Sequence, residues 1–523
     1  MKFPLVSLND VSNEYLYQEY PGKKEKGAYL TIAKTSEKIT IEIDRFGIIE
    51  FFYVVHKNEL YGATTLSLLL GDLPVSFRRQ LDELAAIELV RTNTIWGCKT
   101  LISGIKKIPH GARLVFDIKK QELILENYWQ LPGDINSALY SREKALTNVH
   151  QAFVNAVSDM LAQKKRVGIH LTGGMDSRQL LGELLSRDVH FRNYSYGIKD
   201  GIDLAVVNEL IDRFNLQNEV MSWRSLKHFA EEVDNYMPLY NYQQSLLETH
   251  GFELIKKEQE QVDAVIYGHF IDMHKQSHTY YKDFEDRGLD DAKCNVRLYE
   301  LFNGDPRWDI DESIYVNSNF HGAFRESLNR SIDELSYMIP EKRYDALYFI
   351  HHGINRLIPQ VRAGSHYIEY YVAGLHAELF DMIWSVPGRV RKDRILQEEL
   401  IASYYPRVAQ IPIVKHNSFL HYLGDNPLLR ARYVVARLLK HPRIGLLKAY
   451  DRSWGNKFEF MVNQSLYKWM RDRVINGRLA DAGVFKASFI NKAFAGETMD
   501  PSIPTSQYSA LVTISLFMDK HLG

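Results

Sequence analysis

The chain has 523 residues, of which 45% are hydrophobic and 25% are charged, as in an ordinary globular protein of two to four domains. The formal net charge of −1 gives no excess of either sign, so the composition does not predict binding to nucleic acid. The chain has only two cysteines, Cys98 and Cys294, which excludes a disulfide framework and a cysteine-rich metal site. The sequence contains no long apolar run, so we expect a cytoplasmic protein with neither signal peptide nor transmembrane segment.

The first quarter of the chain is predicted to be rich in strands. Residues 28–55 and 99–129 contain short β-branched or aromatic runs, which are ITIEID, IIEFFYVV, ARLVFDI and ELILENYW. Between them, SFRRQLDELAAIELVRT (residues 76–92) predicts a helix. The break at Pro132, Gly133 and Asp134 predicts a first domain over residues 1–135 and a second over residues 140–523.

From about residue 140, helical and strand patterns alternate. REKALTNVHQAFVNAVSDML, SRQLLGELLSR and DLAVVNELIDRFN are predicted helices, and RVGIHL, HFRNYSYG, NEVMSW and QVDAVIYG are predicted strands. This alternation predicts an α/β fold with a doubly wound parallel sheet. From about residue 320 the pattern is mostly helical.

The stretch RVGIHLTGGMDSRQLLGELL, residues 166–185, predicts a strand, a tight loop and a helix. Gly173 and Gly174 let backbone N–H groups approach an anion, and the helix N-terminus favours phosphate. Thr172 and Ser177 add hydroxyl groups, and Asp176 is suited to hold Mg²⁺ beside phosphates. The loop therefore predicts a Mg²⁺–pyrophosphate site without the Walker A pattern; a glycine turn with a side-chain-capped helix is the structural alternative.

Residues 172–177 resemble the S-G-G-x-D-S loop of ATP-pyrophosphatase enzymes, which cleave ATP between its α- and β-phosphates to adenylate a substrate. Thr172 replaces the first serine and keeps its hydroxyl. Four further segments resemble asparagine synthetases in family order: TLISGIKKIPHGARLVFD with NYW (100–129), VIYGHFIDM (265–273), EYYVAGLHAELFDMIWSVP (369–387) and YPRVAQIPIVKHNSF (405–419). From about residue 40 to 420 the chain thus resembles the group of asparagine synthetases, β-lactam synthetases and lasso-peptide cyclases.

The resemblance implies a degenerate glutaminase-like α+β sandwich followed by a parallel-sheet synthetase domain with a helical C-terminal part. It also implies a carbon–nitrogen ligase that uses ATP and Mg²⁺ to adenylate a carboxylate and joins the acyl group to an amine. The family's glutaminase uses an N-terminal cysteine, whereas residue 2 here is Lys2, so we expect no glutamine hydrolysis.

The resemblance also assigns binding residues. The adenosine site is expected to use Leu171, Tyr196, Gly197, Tyr267 and Gly268 through backbone contacts. Asp272 is the expected second Mg²⁺ ligand beside Asp176. Around it the family pattern is altered, because Phe270 and Ile271 replace small residues and Met273 replaces an acid.

Three catalytic residues are expected. His269 occupies the position where the family often has a catalytic side chain, and it is expected to form a dyad with Glu369 and take the proton of the attacking amine. Lys415 is expected to stabilise negative charge on the tetrahedral intermediate or on pyrophosphate. The structural alternatives are a histidine that only packs against substrate and a solvated surface lysine.

The sequence does not identify the carboxylate or the amine. The carboxylate is either a peptide or small amino acid closed into a lactam, or a sugar acid or aminoacyl donor in glycan assembly, and a peptide or glycan-pathway protein is a candidate partner. Two rivals stay open: an ammonia-dependent amidase served by a separate glutaminase, and a non-catalytic nucleotide-binding scaffold. Altered segments 270–273 and 371–376 favour the scaffold, and the retained Asp176, Asp272, Glu369 and Lys415 oppose it.

Three further features of the sequence indicate a function more weakly. The basic run at 428–448 is typical of a helix with a solvated basic face, or of a surface that docks an acidic partner. His269, His274 and His278 lack an acid or cysteine to complete a zinc site. Transfer of sulfur to tRNA, another use of the loop, usually needs catalytic cysteines that this chain lacks.

Overall fold

The computed structural model describes residues 4–20, 24–134, 141–162, 166–187, 189–197, 202–222, 229–249, 251–271, 288, 290–303, 311–391, 394–415, 419–421, 464–500 and 502–522. Asp272, Met273, His274, His278 and the predicted basic helix at 428–448 lie outside them.

Two antiparallel sheets form the N-terminal part. Their strands are β1 (Glu14–Gln18), β2 (Tyr29–Lys34), β3 (Lys38–Ile43), β4 (Phe52–His56), β5 (Glu59–Ala63), β6 (Lys106–Lys107), β7 (Ala112–Asp117) and β8 (Glu122–Asn127). One sheet has the order β1-β2-β3-β7-β8 and the other the order β5-β4-β6. Along β7 every second side chain is buried, namely Ala112, Leu114 and Phe116, which is why this run of sequence forms a strand with one face on the core.

Helices α1 (Leu66–Asp72) and α2 (Glu83–Thr92) accompany these sheets. The helix predicted over residues 76–92 is therefore wrong in its first half. Asp82 is the reason, because its carboxylate accepts a hydrogen bond from the Ala85 N–H at 2.8 Å and so starts the helix there. Leu81 instead forms an antiparallel bridge with Ile102.

A five-stranded parallel sheet organises the rest of the chain, and it confirms the predicted α/β class. Its order is β11-β10-β9-β12-β13, with every neighbouring pair parallel. Its strands are β9 (Val167–His170), β10 (Phe191–Gly197), β11 (Asn218–Ser222), β12 (Ala264–Tyr267) and β13 (Glu369–Val372). A separate antiparallel pair, β14 (Ile413–Lys415) and β15 (Phe419–His421), follows.

Helices alternate with the parallel strands and dominate the C-terminal part. They are α3 (Arg142–Leu161), α4 (Met175–Ser186), α5 (Ile202–Phe214), α6 (Phe229–Tyr236), α7 (Phe252–Gln261), α8 (Asp291–Asn303), α9 (Glu312–Tyr315), α10 (Ala323–Asp333), α11 (Pro340–Tyr348), α12 (Ile358–Ser365), α13 (Ala377–Ser385), α14 (Gly388–Arg391), α15 (Ile395–Tyr404), α16 (Pro406–Ala409), α17 (Gln464–Ile475), α18 (Ala487–Phe494) and α19 (Thr505–His521). A π-helix, Phe349–Leu357, connects α11 to α12. In the described part of the chain, no helix combines the length and the apolar character that crossing a membrane requires.

A buried ionic cluster joins the N-terminal sheets to the helical part. One oxygen of Glu50 lies 3.1 Å from the Lys107 ammonium and 2.9 Å from the Arg362 guanidinium, and the other accepts a hydrogen bond from Asn241 at 3.1 Å. Burial by itself raises the pKa of Glu50, but Arg362 and Lys107 outweigh it and hold the pKa below its usual value. The cluster therefore ties residues distant in sequence into one core, in which the two parts of the chain share apolar contacts.

We expect Glu50→Ala to lower the free energy of unfolding by about 3 kcal/mol, because it leaves buried Arg362 and Lys107 without their carboxylate. Since the folded pKa of Glu50 is below its unfolded value, its contribution is present above the unfolded pKa and is lost as the pH falls through the folded pKa. Urea denaturation at several pH values measures both effects. The control is Glu37→Ala, which breaks an exposed pair with Lys119 worth at most about 1 kcal/mol; equal losses in the two variants contradict the prediction.

Candidate active site

The loop between β9 and α4 is closed by two hydroxyl groups. The Thr172 N–H donates to the Ser177 hydroxyl at 3.1 Å, and the two hydroxyl oxygens lie 3.0 Å apart. The Gly174 N–H donates to the Thr172 hydroxyl at 3.2 Å. These contacts fix the shape of the segment that begins at Leu171 and includes Gly173.

Helix α4 begins directly after Gly174, and no side chain caps its N-terminus. In this turn the hydroxyls of Ser177 and Thr172 accept hydrogen bonds from the backbone N–H groups of Thr172 and Gly174, which belong to the loop itself. An α-helix leaves its first backbone N–H groups without partners inside the helix, and their partial positive charge favours an anion. Because α4 follows β9, this end of the helix lies at the carboxyl edge of the parallel sheet, where α/β proteins bind ligands.

Asp176 lies in the first turn of α4, and its side chain is 22% exposed. One carboxylate oxygen accepts a hydrogen bond from the Gln397 amide at 2.8 Å and lies 3.7 Å from the Arg394 guanidinium. Arg394 precedes α15 and has φ 62, in the left-handed region that non-glycine residues rarely adopt. Sequence reasoning missed Arg394 and Gln397, for which the basic run RVRKDR was the available signal.

Gly268 directly follows β12 and lies against Asp176. A Cβ atom at residue 268 would be 2.9 Å from the carbonyl carbon of Asp176 and 3.1 Å from its Cβ. Only a glycine allows this approach without a shift of the backbone. The structure thus brings together the two segments that the sequence analysis placed in one site.

Phe270, which the sequence analysis singled out as a replacement for a small residue, adopts a strained backbone conformation. Its φ is 64, so the backbone of this residue is held in the left-handed region at a cost of order 1–3 kcal/mol. Its ring lies 5.4 Å from that of Phe349 and packs against Gly353, where a Cβ would come within 2.6 Å of it. Both partners belong to the π-helix, a rare conformation that is frequent at functional sites.

A buried cluster of aromatic rings and one carboxylate lies on one face of the sheet beneath this edge. The rings of His170 and Tyr267 are 4.2 Å apart, and both His170 and Tyr370 are hydrogen-bonded to Glu258. Burial, and then the negative charge of Glu258, raise the pKa of Tyr267 well above its ordinary value. Glu258 is fully buried although its helix has the polar sequence FELIKKEQEQ, so no sequence pattern singled it out.

The structure does not bring His269 and Glu369 together as the predicted dyad requires. The His269 ring stacks on Tyr267 with centroids 5.1 Å apart, and strand register places Tyr267 on the same face of the sheet as Tyr370. Side chains alternate along a strand, so Glu369 points to the opposite face, where its carboxylate accepts a hydrogen bond from the Tyr371 hydroxyl at 2.9 Å. Glu369 also begins β13, opposite the first residue of β12, while His269 lies beyond the end of β12.

The remaining predicted residues lie as follows. Leu171 is buried, and its carbonyl accepts a hydrogen bond from Ser195 at 2.8 Å. Tyr196 and Gly197 end β10 on the next strand, so they too lie at the carboxyl edge of the sheet. Lys415 is the last residue of β14, and Asp272 lies outside the described residues.

Comparison with known proteins gives one distant relationship by sequence. No family model matches the chain. Over 220 residues the chain is 22% identical to the protein named "Putative asparagine synthetase (glutamine-hydrolyzing) 2" of Methanocaldococcus jannaschii, a match that covers 41% of this chain and 42% of that protein. The chain thus matches less than half the length of this curated relative.

Among solved structures, the U34-tRNA thiolase NcsA from Methanococcus maripaludis with its 4Fe–4S cluster aligns with 41% of this chain and 80% of its own. The sequence identity is 12% and the TM-score is 0.20. A similarity this low supports no conclusion about the fold or the activity of this chain.

We expect Gly268→Ala to weaken binding of Mg²⁺·ATP at least tenfold, by about 1.4 kcal/mol or more, because the added methyl displaces the backbone of Asp176. Isothermal titration calorimetry measures the affinity. The control is Gly71→Ala within α1, where a Cβ meets no atom within 4 Å and alanine favours the helix. Normal affinity in the Gly268 variant would show that this close approach does not shape the site.

Proposed function

We propose that the chain is an ATP-dependent, AMP-forming carbon–nitrogen ligase that adenylates a carboxylate and joins it to an amine. The observation that carries the proposal is the helix N-terminus of α4, free of a capping side chain and placed beside Asp176 at the carboxyl edge of a parallel sheet. This combination of helix dipole, glycine-rich loop and acid suits a chelated polyphosphate. The distant similarity to an asparagine synthetase-like protein supports the same chemistry.

The proposed reaction has two steps. First, a carboxylate oxygen of the substrate attacks the α-phosphorus of ATP, the bond from that phosphorus to the bridging oxygen breaks, and pyrophosphate leaves. The amine then attacks the acyl carbon, the bond between that carbon and the AMP oxygen breaks, and a base takes the amine proton. The products are an amide, AMP and pyrophosphate.

Mg²⁺ is part of this proposal because carboxylate and phosphate oxygens are the ligands it prefers. In the described residues, no group of three or more His, Cys, Asp and Glu side chains is placed to hold a metal. An ion here would therefore take most of its ligands from phosphate, with Asp176 as the described protein ligand. When bound, the ion neutralises negative charge on the phosphates.

Other residues have proposed roles around this loop. Arg394, whose guanidinium lies 3.7 Å from the Asp176 carboxylate, is proposed to contact the pyrophosphate that leaves. His269 stays a candidate base for the amine, now with its ring oriented by stacking on Tyr267 and not by Glu369. Lys415 is proposed to stabilise negative charge as the intermediate forms.

The N-terminal part is proposed to have a structural role and no glutaminase activity. Burial raises the pKa of the Cys98 thiol, which makes it a poor nucleophile near neutral pH. The amine then comes from the substrate, as in a lactam or a glycan-linked amide, or from free ammonia. If the amine belongs to the substrate, no partner glutaminase is required.

Asp176→Asn is expected to lower the rate of AMP formation about 100-fold or more, because it removes the carboxylate beside the phosphates. AMP is measured by chromatography with Mg²⁺·ATP and a panel of amino acids, peptides and sugar acids. The matched control is Asp333→Asn at an exposed helix end, which is expected to have the wild-type rate. If the Asp176 variant forms AMP at the wild-type rate, the proposed role of Asp176 is excluded. If the wild-type protein binds Mg²⁺·ATP but forms AMP with none of the carboxylates, the non-catalytic scaffold is favoured.

Incubation with ATP, Mg²⁺ and glutamine is expected to release no glutamate, because the thiol of Cys98 is held protonated. Glutamate is measured by an enzyme-coupled assay, with and without an added amine. Ammonium that stimulates AMP formation would favour the ammonia-dependent alternative. Release of glutamate that persists in Cys98→Ala would show that another group performs glutamine hydrolysis.

A further inference from the structure

One continuous segment, residues 394–415, packs along the flank of α4. Met175 at the start of the helix forms a small apolar cluster with Ile401, Ala409 and Ile413. About two turns further on, Gly182 lies against Tyr405, where a Cβ would be 2.5 Å from the ring. The helix that follows the phosphate loop and the segment that ends at Lys415 therefore form one packed unit.

Arg178 lies in the middle of this unit and is completely buried. Its guanidinium donates hydrogen bonds to the carbonyl of Pro412 at 2.8 Å, to that of Val408 at 3.4 Å, and to that of Ile411. Burial lowers the pKa of Arg178 to about 9, so the side chain stays a cation at neutral pH. A buried cation is thus held by three carbonyl oxygens of a five-residue turn.

We infer that Arg178 is a positioning residue that fixes β14, and with it Lys415, relative to the phosphate loop. Arg178 follows Asp176 by two residues on α4, and Pro412 directly precedes β14. Lys415 is three residues beyond Pro412, so its backbone lies within about 10 Å of the clamped carbonyl. This inference rests on the proposed role of Lys415 in the ligase reaction.

The chemistry of the side chain favours this role over simple packing. An apolar side chain of similar volume joins two buried segments without the cost of removing a charge from water. A guanidinium instead presents donors in a rigid fork, so it fixes the direction as well as the distance of the carbonyls that it binds. Catalytic groups require such placement, because a displacement of about 1 Å can lower a rate about 100-fold.

The test compares wild type with Arg178→Met, Lys415→Ala and the double variant. Calorimetry measures the affinity for inorganic pyrophosphate with Mg²⁺, which requires no knowledge of the carboxylate. We expect Lys415→Ala and Arg178→Met each to weaken pyrophosphate binding about tenfold, and the double variant to bind no more weakly than Lys415→Ala alone. Arg178→Lys is expected to restore part of the affinity, since an ammonium can bind one of the carbonyls but cannot present the fork.

Hydrogen exchange at the amides of residues 413–415 gives a second readout that does not depend on nucleotide binding. Exchange is expected to be faster in Arg178→Met, while exchange within α4 stays slow. The control is Arg213→Met, which removes an exposed contact at 3.3 Å with Gln410 of the same segment and is expected to change neither readout.

The outcomes separate the two proposals. Unchanged exchange at 413–415 in Arg178→Met overturns the positioning role, whether or not pyrophosphate binds. Additive losses of affinity in the double variant also overturn it, because they show that Arg178 acts independently of Lys415. Faster exchange together with an absence of Mg²⁺·ATP and pyrophosphate binding by wild type supports the clamp and contradicts the proposed ligase function.

Discussion

The parallel pairing of β9 with β12 is the constraint on which the candidate site depends. Val167, Gly168 and Ile169 lie beside Ala264, Val265 and Ile266, so both strands end at the same edge. A Cβ at residue 168 would be 2.7 Å from the Tyr194 ring and 3.3 Å from the Val265 side chain. Because Gly168 has no Cβ, these side chains can pack closely against its strand. The loop that begins at Thr172 and the loop that begins at Gly268 consequently leave the sheet side by side.

Elements with strong local signals could be predicted from sequence. The alternation of apolar helices and β-rich runs gave the parallel sheet, and the glycines of the loop gave the strand–loop–helix unit, because both signals are encoded within about 20 residues. The start of α2 was missed because one aspartate, Asp82, outweighed the helical pattern before it.

Contacts between distant segments could not be predicted in the same way. Glu369 was assigned to His269 by a motif, but a motif does not specify which face of a strand a side chain takes once the register is set. Arg394 and Gln397 reach Asp176 from more than 200 residues away, since their sequence numbers exceed 176 by 218 and 221. The basic run RVRKDR that ends at Arg394 indicates an anion site in general, but it does not specify a contact with Asp176.

The aromatic packing around Phe270 connects the site to the N-terminal part. The Phe46 ring lies 6.1 Å from that of Phe349, which in turn lies 5.4 Å from that of Phe270. A non-glycine residue keeps a positive φ only where the surrounding structure stabilises it, and here the packing of these rings stabilises Phe270. The N-terminal part thus contributes to the packing around the loop after β12.

The distribution of charge around α4 argues for a site that binds an anion. Over the whole chain the positive and negative charges nearly cancel, with a formal net charge of −1. At the start of α4, however, one partly exposed acid, Asp176, lies 3.7 Å from the guanidinium of Arg394. Burial lowers the pKa of Arg394, so this arginine lies in an environment that disfavours its charge. A polyphosphate bound as proposed would offset the positive charge of the Arg394 guanidinium and of the helix dipole.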